Sequence, residues 1–366
     1  MVAFSYGEWD YICQVSPQSI CNLFYRQLLI HPEHGVQSAP DPYLNLPDNS
    51  SQRDLLISKS GIGIRSNCSI NRMGTLIDDG SRHSAGNIAN ILVCCLASLF
   101  VFHLAFRASR RKAAVGRIEV ILFFSVYGLS LIFQLFDTGS IITQGSSAIV
   151  WLTSIRLSLI VILYACLIWI GFLGLQLIED GTPASLLPLL FSCLILFIGS
   201  IYIFLDTGFG ISNYFASQPA SHLYSPWTFS LIILWPFIAL SLFTVMTSIV
   251  SIQILSEIKP LKMLFGSILM LIIGTLFRWI ISPSICRSSR SRVDGSFLAT
   301  LFETFSIGLF YKLWTSLTEA EWEEFEGLNP QFDSNVLSGR YLEKGQPFLP
   351  DQNVEPGQTY NFRRDN

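Results

Sequence analysis

The chain has 366 residues, 51% of them hydrophobic and only 13% charged, with a mean hydropathy of +0.48. Soluble domains carry about 25% charged residues, so a chain with half that charge lacks the ionic groups to cover a water-facing surface. The formal net charge of −3 gives no electrostatic footprint for nucleic acid. The charge deficit argues against a soluble protein and points to a multi-pass protein of the lipid bilayer, and the near-neutral balance argues against nucleic acid as a partner.

The first stretch, "MVAFSYGEWDYICQVSPQSICNLF", carries acids and no basic segment leading into an apolar core. It does not read as a secretory signal, which leaves membrane insertion to the first spanning segment. Sequons at Asn49 and Asn67 are candidate glycosylation sites. His31 and His34 are separated by Pro32, which breaks the helix that would align them on a metal.

A spanning helix needs roughly 20 mainly apolar residues. Seven stretches qualify, near 86–106, 118–136, 148–177, 184–205, 227–252, 261–281 and 295–315. The predicted fold is therefore an all-α membrane protein, a seven-transmembrane helix bundle. Residues 1–85 form a segment before it, and residues 316–366 an acidic, then disordered, tail. Pro236 lies inside the fifth stretch and predicts a kink.

Lys and Arg in short loops set the orientation. Arg107, Arg110, Arg111, Lys112 and Arg117 follow the first span at once, a strong cytosolic signal. The loops 137–147 and 206–226 contain no Lys or Arg. Lys259 and Lys262 again mark a cytosolic loop, whereas Arg287, Arg290 and Arg292 dissent before the last span. The balance places the N-terminus in the lumen and the C-terminus in the cytosol. Cys13, Cys21, Cys68 and Cys286 then all fall on the oxidising side and predict two disulfides, with three connectivities open. Cys94, Cys95, Cys166 and Cys193 lie in spans and read as small apolar side chains.

Two charges sit deep in apolar sequence, Arg156 in "TSIRLSLIVI" and Glu303 in "ATLFETFSIG". Each is eight residues from the start of its span, about 12 Å below the outer surface. An unpaired charge there costs several kcal/mol, so equal depth and opposite sign predict an intramembrane ion pair between them. Asp137, Asp206 and Arg278 lie near span ends and read as interface anchors, with Arg278 snorkelling. Gly266, Ser267, Gly274 and Gly308 would permit close approach of a partner helix.

No Gly-rich phosphate loop, nucleophile elbow or His-Glu-x-x-His motif is present. The expectation is a non-enzyme without cofactor or metal. Lys312 lies near the cytosolic end of the last span, not mid-way as a retinal lysine would. The tail opens on Glu319, Glu321, Glu323, Glu324 and Glu326, with Trp322 and Phe325 three apart. This is a solvated acidic helix or a short element for coat machinery. In "LIWIGFLGLQLIEDGTP", Thr182 predicts a helix N-cap with Pro183 at the first helical position. Glu179 and Asp180 are misplaced beside the negative end of the preceding helix, which predicts that one of them pairs with the basic loop.

The turn "GFLGLQLIEDGT", with Gly171, Gly174, Gln176, Glu179, Asp180, Gly181 and Thr182, resembles a signature of the fungal chitin synthase export chaperone family. "AVGRIEVILFF" (114–124), "VDGSFLAT" (293–300) and "FYKLWTSLTEAEWEEF" (310–325) are similar to further segments of that family, and the four outer cysteines match its cysteines in placement. The likeness covers roughly residues 5–326. It implies a non-catalytic chaperone of the endoplasmic reticulum membrane that assists folding and export of a polytopic chitin synthase, and so supports cell-wall biogenesis. Its implied partners are the chitin synthase catalytic subunit and the bilayer. The competing class is a seven-helix receptor or a small-solute or ion transporter. The family usually carries amide side chains where Arg156 and Glu303 stand.

Overall fold

A computed structural model of the chain describes residues 5–15, 18–30, 68, 87–111, 116–138, 142, 145–176, 181–217, 223–290 and 292–328. Asn49, Asn67, Lys112, Glu179 and Asp180 lie outside them, and so does most of the tail. The described residues form helices and no strand, with one isolated bridge between Glu8 and Tyr224. Residues 1–320 make one compact unit and residues 321–366 another.

Two short helices, α1 (Asp10–Val15) and α2 (Ser19–Ile30), precede the bundle. Among the described residues, six helices are long and apolar enough to cross a membrane: α3 (Ile88–Arg110), α4 (Arg117–Asp137), α5 (Ser147–Gly174), α6 (Pro183–Phe209), α7 (Pro226–Ile254) and α8 (Ile258–Ser288). The helix formed by the seventh stretch, α9 (Ser296–Leu328), is not among these six. Glu303 and Lys312 dilute the hydropathy of its most apolar stretch.

Sequential helices pack as neighbours, α3 on α4, α4 on α5 and α5 on α6, while α7 returns to α5. The central helix is α5, with 56% of its most apolar window buried, against 11% for α6 on the perimeter. The perimeter is large and apolar: Leu96, Leu99 and Phe100 on α3, Leu187, Phe191 and Leu194 on α6, and Phe265 and Leu269 on α8 are all exposed. A surface of this kind fits hydrocarbon, not water.

Pro183 opens α6, and Thr182 stands at its N-cap position without a side-chain cap. Just before Pro236, where a kink is expected, the helix contains a π-helical segment, Ser230–Leu234. Two more π segments follow, Val250–Ile254 at the end of α7 and Phe277–Ile281 inside α8. Such segments shift backbone register locally and occur often at functional sites.

One end of the bundle is capped by α1 and α2. Cys13 and Cys21 are joined by a disulfide, which ties the two helices together. Helix α2 packs on α5 and α6, with Ile20, Leu23 and Phe24 buried against Ile149, Val150 and Phe204. Polar latches fix the cap: Gln27 Nε2 donates to the Ser217 carbonyl at 2.8 Å, Arg26 Nη1 to the Gly145 carbonyl at 2.8 Å, and Trp9 Nε1, just before α1, to Thr228 Oγ1 at 3.0 Å. A second disulfide joins Cys68 to Cys286 at the far end of α8, so Cys13, Cys21, Cys68 and Cys286 form two bonds. Cys94, Cys95, Cys166 and Cys193 are free, and all but Cys95 are buried.

Candidate functional site

The pairing expected between Arg156 and Glu303 is not what the bundle builds. Arg156 Nη1 lies 3.1 Å from Asp137 Oδ2 and 3.3 Å from Oδ1, and also donates to Ser19 Oγ. Glu303 Oε1 accepts from Arg278 Nη2 at 2.6 Å. The physical reason lies in the cap. Asp137 ends its span, yet α2 covers it: Asn22 Nδ2 donates to the Asp137 backbone carbonyl at 2.7 Å, and the Asp137 side chain is fully buried. A carboxylate buried beside Arg156 is a nearer counter-charge than one on α9. Arg278, expected to snorkel, turns inward instead, because α8 and α9 touch at Gly274. A Cβ built there would stand 3.2 Å from the Ala299 carbonyl and 3.5 Å from Glu303 Cγ.

The small residues expected to receive a partner helix are thus already used within the chain. Ser267 and Ser306 hydrogen-bond at 2.8 Å across the α8–α9 seam. Gly266 faces Leu309 and Gly308 faces Phe100.

Arg156, Arg278 and Glu303 do meet in another sense, for all three line one cavity of about 320 Å³. Tyr127 and Gln134 of α4 and Leu163 and Tyr164 of α5 form part of its wall. Phe237, Ile272 and Thr275 also line it and are exposed on the bundle surface, which places its mouth between α7 and α8. The Arg156–Asp137 pair is sealed, with side-chain exposures of 6% and 0%, whereas Arg278 and Glu303 keep 15% and 21%. The cavity therefore presents one accessible, internally neutralised ion pair at the lipid-facing side.

A polar layer that charge counting misses runs beside it. Gln134 Nε2 donates to Thr300 Oγ1 at 2.8 Å, and Asn87 Nδ2 to Asp294 Oδ1 at 2.7 Å. These bonds tie α3 and α4 to α9. The signal was available as uncharged amides within the spans. Asp206 is no interface anchor either: its carboxylate accepts from the backbone N–H groups of Ser212 and of Phe215, the latter at 2.9 Å, and so shapes the loop after α6.

At the opposite end, Arg107 lies over the Tyr311 ring (5.9 Å to the centroid) and Arg110 over Phe106 (4.5 Å). Arg111 pairs with Glu319 at 3.2 Å. The expected contact of Glu179 or Asp180 with this loop falls outside the described residues. The glycines of the same signature have a packing role: a Cβ on Gly171 would stand 3.0 Å from Met246 Sδ and 3.3 Å from Phe243 Cδ2, and one on Gly174 3.7 Å from Val250. They let α5 approach α7. Gln176 and Gly181 have φ of 54° and 68°, both in the left-handed region. Nearby, Glu119 is fully buried and accepts from Ser185 Oγ at 2.9 Å. Among the described residues no group of acids, His and Cys could hold a metal ion.

Fold and site define a polytopic helical membrane protein with a capped end, paired intramembrane charges and a lateral cavity. Comparison with known proteins gives this class a family. Residues 5–327 match the family described as chitin synthase export chaperone, and the chain belongs to it. Proteins named chitin synthase export chaperone are 27% identical in Gibberella zeae, over 87% of this chain and 84% of that protein, and 26% identical in Cryptococcus neoformans var. neoformans serotype D, over 88% and 77%. A third such protein, from Coccidioides immitis, is 27% identical over 76% of this chain and 82% of its own length. No solved structure matches the chain.

Proposed function

We propose that the protein is a non-catalytic chaperone of the endoplasmic reticulum membrane that assists folding and export of a chitin synthase. The observation that carries this reading is family membership over nearly the whole chain. In the proposed topology α9 is a seventh span, residues 1–85 are lumenal and the tail beyond residue 315 is cytosolic. The basic run at the end of α3 and the disulfides at the other end support that orientation.

The lateral cavity is the proposed point of client contact. A polytopic client exposes polar side chains to lipid until its own helices assemble, at high cost. A polar group of the client entering between α7 and α8 would meet the accessible Arg278–Glu303 pair and leave hydrocarbon. The transporter reading would use the same cavity, but its guanidiniums are already matched by carboxylates. The acidic far end of α9 is a proposed docking element for coat machinery.

The test is site-specific photocrosslinking in the native fungus, with the probe at Phe237 or Ile272 at the mouth and at Leu187 on the perimeter as control. A chitin synthase adduct at the mouth positions and not at Leu187 is the expected result. Equal labelling at all three removes the cavity from the reading. Normal surface delivery of every chitin synthase in a deletion strain removes the function itself.

A further inference from the structure

The seam between α3 and α9 carries two adjoining features that client handling does not use. At the basic end, a pocket of about 500 Å³ is lined by His103, Phe106, Arg107, Arg110, Arg111 and Tyr311. Further along the same two helices, an apolar furrow of about 220 Å³ runs between Val93, Leu96 and Phe100 of α3 and Leu301 and Phe305 of α9. We propose that this seam binds one anionic phospholipid, its phosphate in the basic pocket and an acyl chain in the furrow.

The pocket is built for an anion. His103, Arg107 and Arg110 are spaced four and three residues apart on α3, and so share one helix face. Arg111 is engaged by Glu319, whereas Arg107 and Arg110 have no carboxylate partner among the described residues. Each is instead laid against an aromatic ring, which holds the planar guanidinium while leaving its N–H edge for a phosphate. A second observation is independent of charge. Tyr311 is 7% exposed, lines the pocket, and its hydroxyl has no hydrogen-bond partner. A buried hydroxyl is ordinarily satisfied, and a phosphate oxygen on the Arg107 side would satisfy this one.

The furrow argues for a lipid over a soluble phosphate. At 1.5 Å rise per residue, Phe100 and Val93 lie about 10 and 20 Å along α3 from Arg107. One leaflet of hydrocarbon is about 15 Å deep, so the furrow begins within that leaflet and would receive the distal part of an acyl chain whose headgroup sits at Arg107. Basic pockets between spanning helices are a recurring way to hold anionic headgroups.

The experiment uses the full chain purified in dioleoylphosphatidylcholine nanodiscs, with native mass spectrometry and thermal unfolding as readouts. Dioleoylphosphatidic acid is the lipid probe, and glycerol 3-phosphate is the headgroup alone. Saturable retention of phosphatidic acid with a raised midpoint, and no response to glycerol 3-phosphate, is expected. Arg107→Gln with Arg110→Gln should weaken retention at least about tenfold, as for lost hydrogen bonds to a charged group. Tyr311→Phe should weaken it several-fold while the midpoint without probe is unchanged, and this variant carries the test if the double variant does not fold. Leu96→Trp, which fills the furrow, should lower retention of the lipid. Saturation by glycerol 3-phosphate alone would replace the lipid with a soluble anion. Undiminished retention in the double variant or in Tyr311→Phe would overturn the site.

Discussion

The pairing of Arg156 with Asp137 makes a quantitative prediction. Both side chains are buried, at 6% and 0% exposure, and the guanidinium reaches both carboxylate oxygens, at 3.3 and 3.1 Å. Asp137→Leu strands a buried cation and Arg156→Leu a buried carboxylate; breaking such a pair from one side costs about 3–5 kcal/mol. The Asp137→Leu, Arg156→Leu double variant leaves no unmatched charge and should lie well above the sum of the singles, with a coupling of about 2 kcal/mol or more. Unfolding in mixed detergent–dodecyl sulfate micelles measures all four proteins. The same cycle with Arg156→Leu and Glu303→Leu should show no rescue, since each of those charges has another partner. Additivity in the first cycle, or rescue in the second, would refute the assignment of partners.

Gly295→Ala should be among the most damaging small substitutions, because a Cβ there would collide with the Phe277 backbone carbonyl and stand 3.0 Å from Ser282 Cα. Overpacking of this kind costs about 3 kcal/mol, and a thermal midpoint within a degree of the parent would count against it. Peptide mapping without reduction should recover Cys13 joined to Cys21 and Cys68 joined to Cys286, and any cross-pairing contradicts the capped end. Replacing Cys13 and Cys21 by Ser opens a short loop and should cost about 2 kcal/mol, read in the same micelle titration. Arg111→Ala, by contrast, removes an exposed pair with 37% and 67% side-chain exposure and should change stability by less than about 1 kcal/mol. A larger loss would mean that Arg111 supports the basic end in a way its single contact does not explain.

Hydropathy located the six helices long and apolar enough to cross a membrane, because burial in lipid needs a long apolar run, and that requirement is written in consecutive residues. Which charge meets which is not. The depth argument set Arg156 and Glu303 at the same level, and they do line one cavity, but depth says nothing about azimuth around a helix. The choice of partner was made by α2, a twelve-residue helix too short to register as a span. By covering the end of α4 it moves the low-dielectric region outward over Asp137, and a residue that reads as an interface anchor becomes the counter-ion. The same limit hid Gln134 and Thr300, whose hydrogen bond joins helices far apart in sequence.

The glycines illustrate the other side. Small residues on a spanning helix mark a close approach, and the sequence does reveal that an approach exists. It does not say whether the approaching helix belongs to the same chain. Here α9 takes the Gly274 face and α5 brings Gly171 and Gly174 against α7, so these faces are used up in folding. What stays open between α7 and α8 is a gap flanked by π segments, where both helices depart from regular register. A site for a client is better sought where the bundle fails to close on itself than where its residues are smallest, because a face already packed offers a second helix nothing to gain.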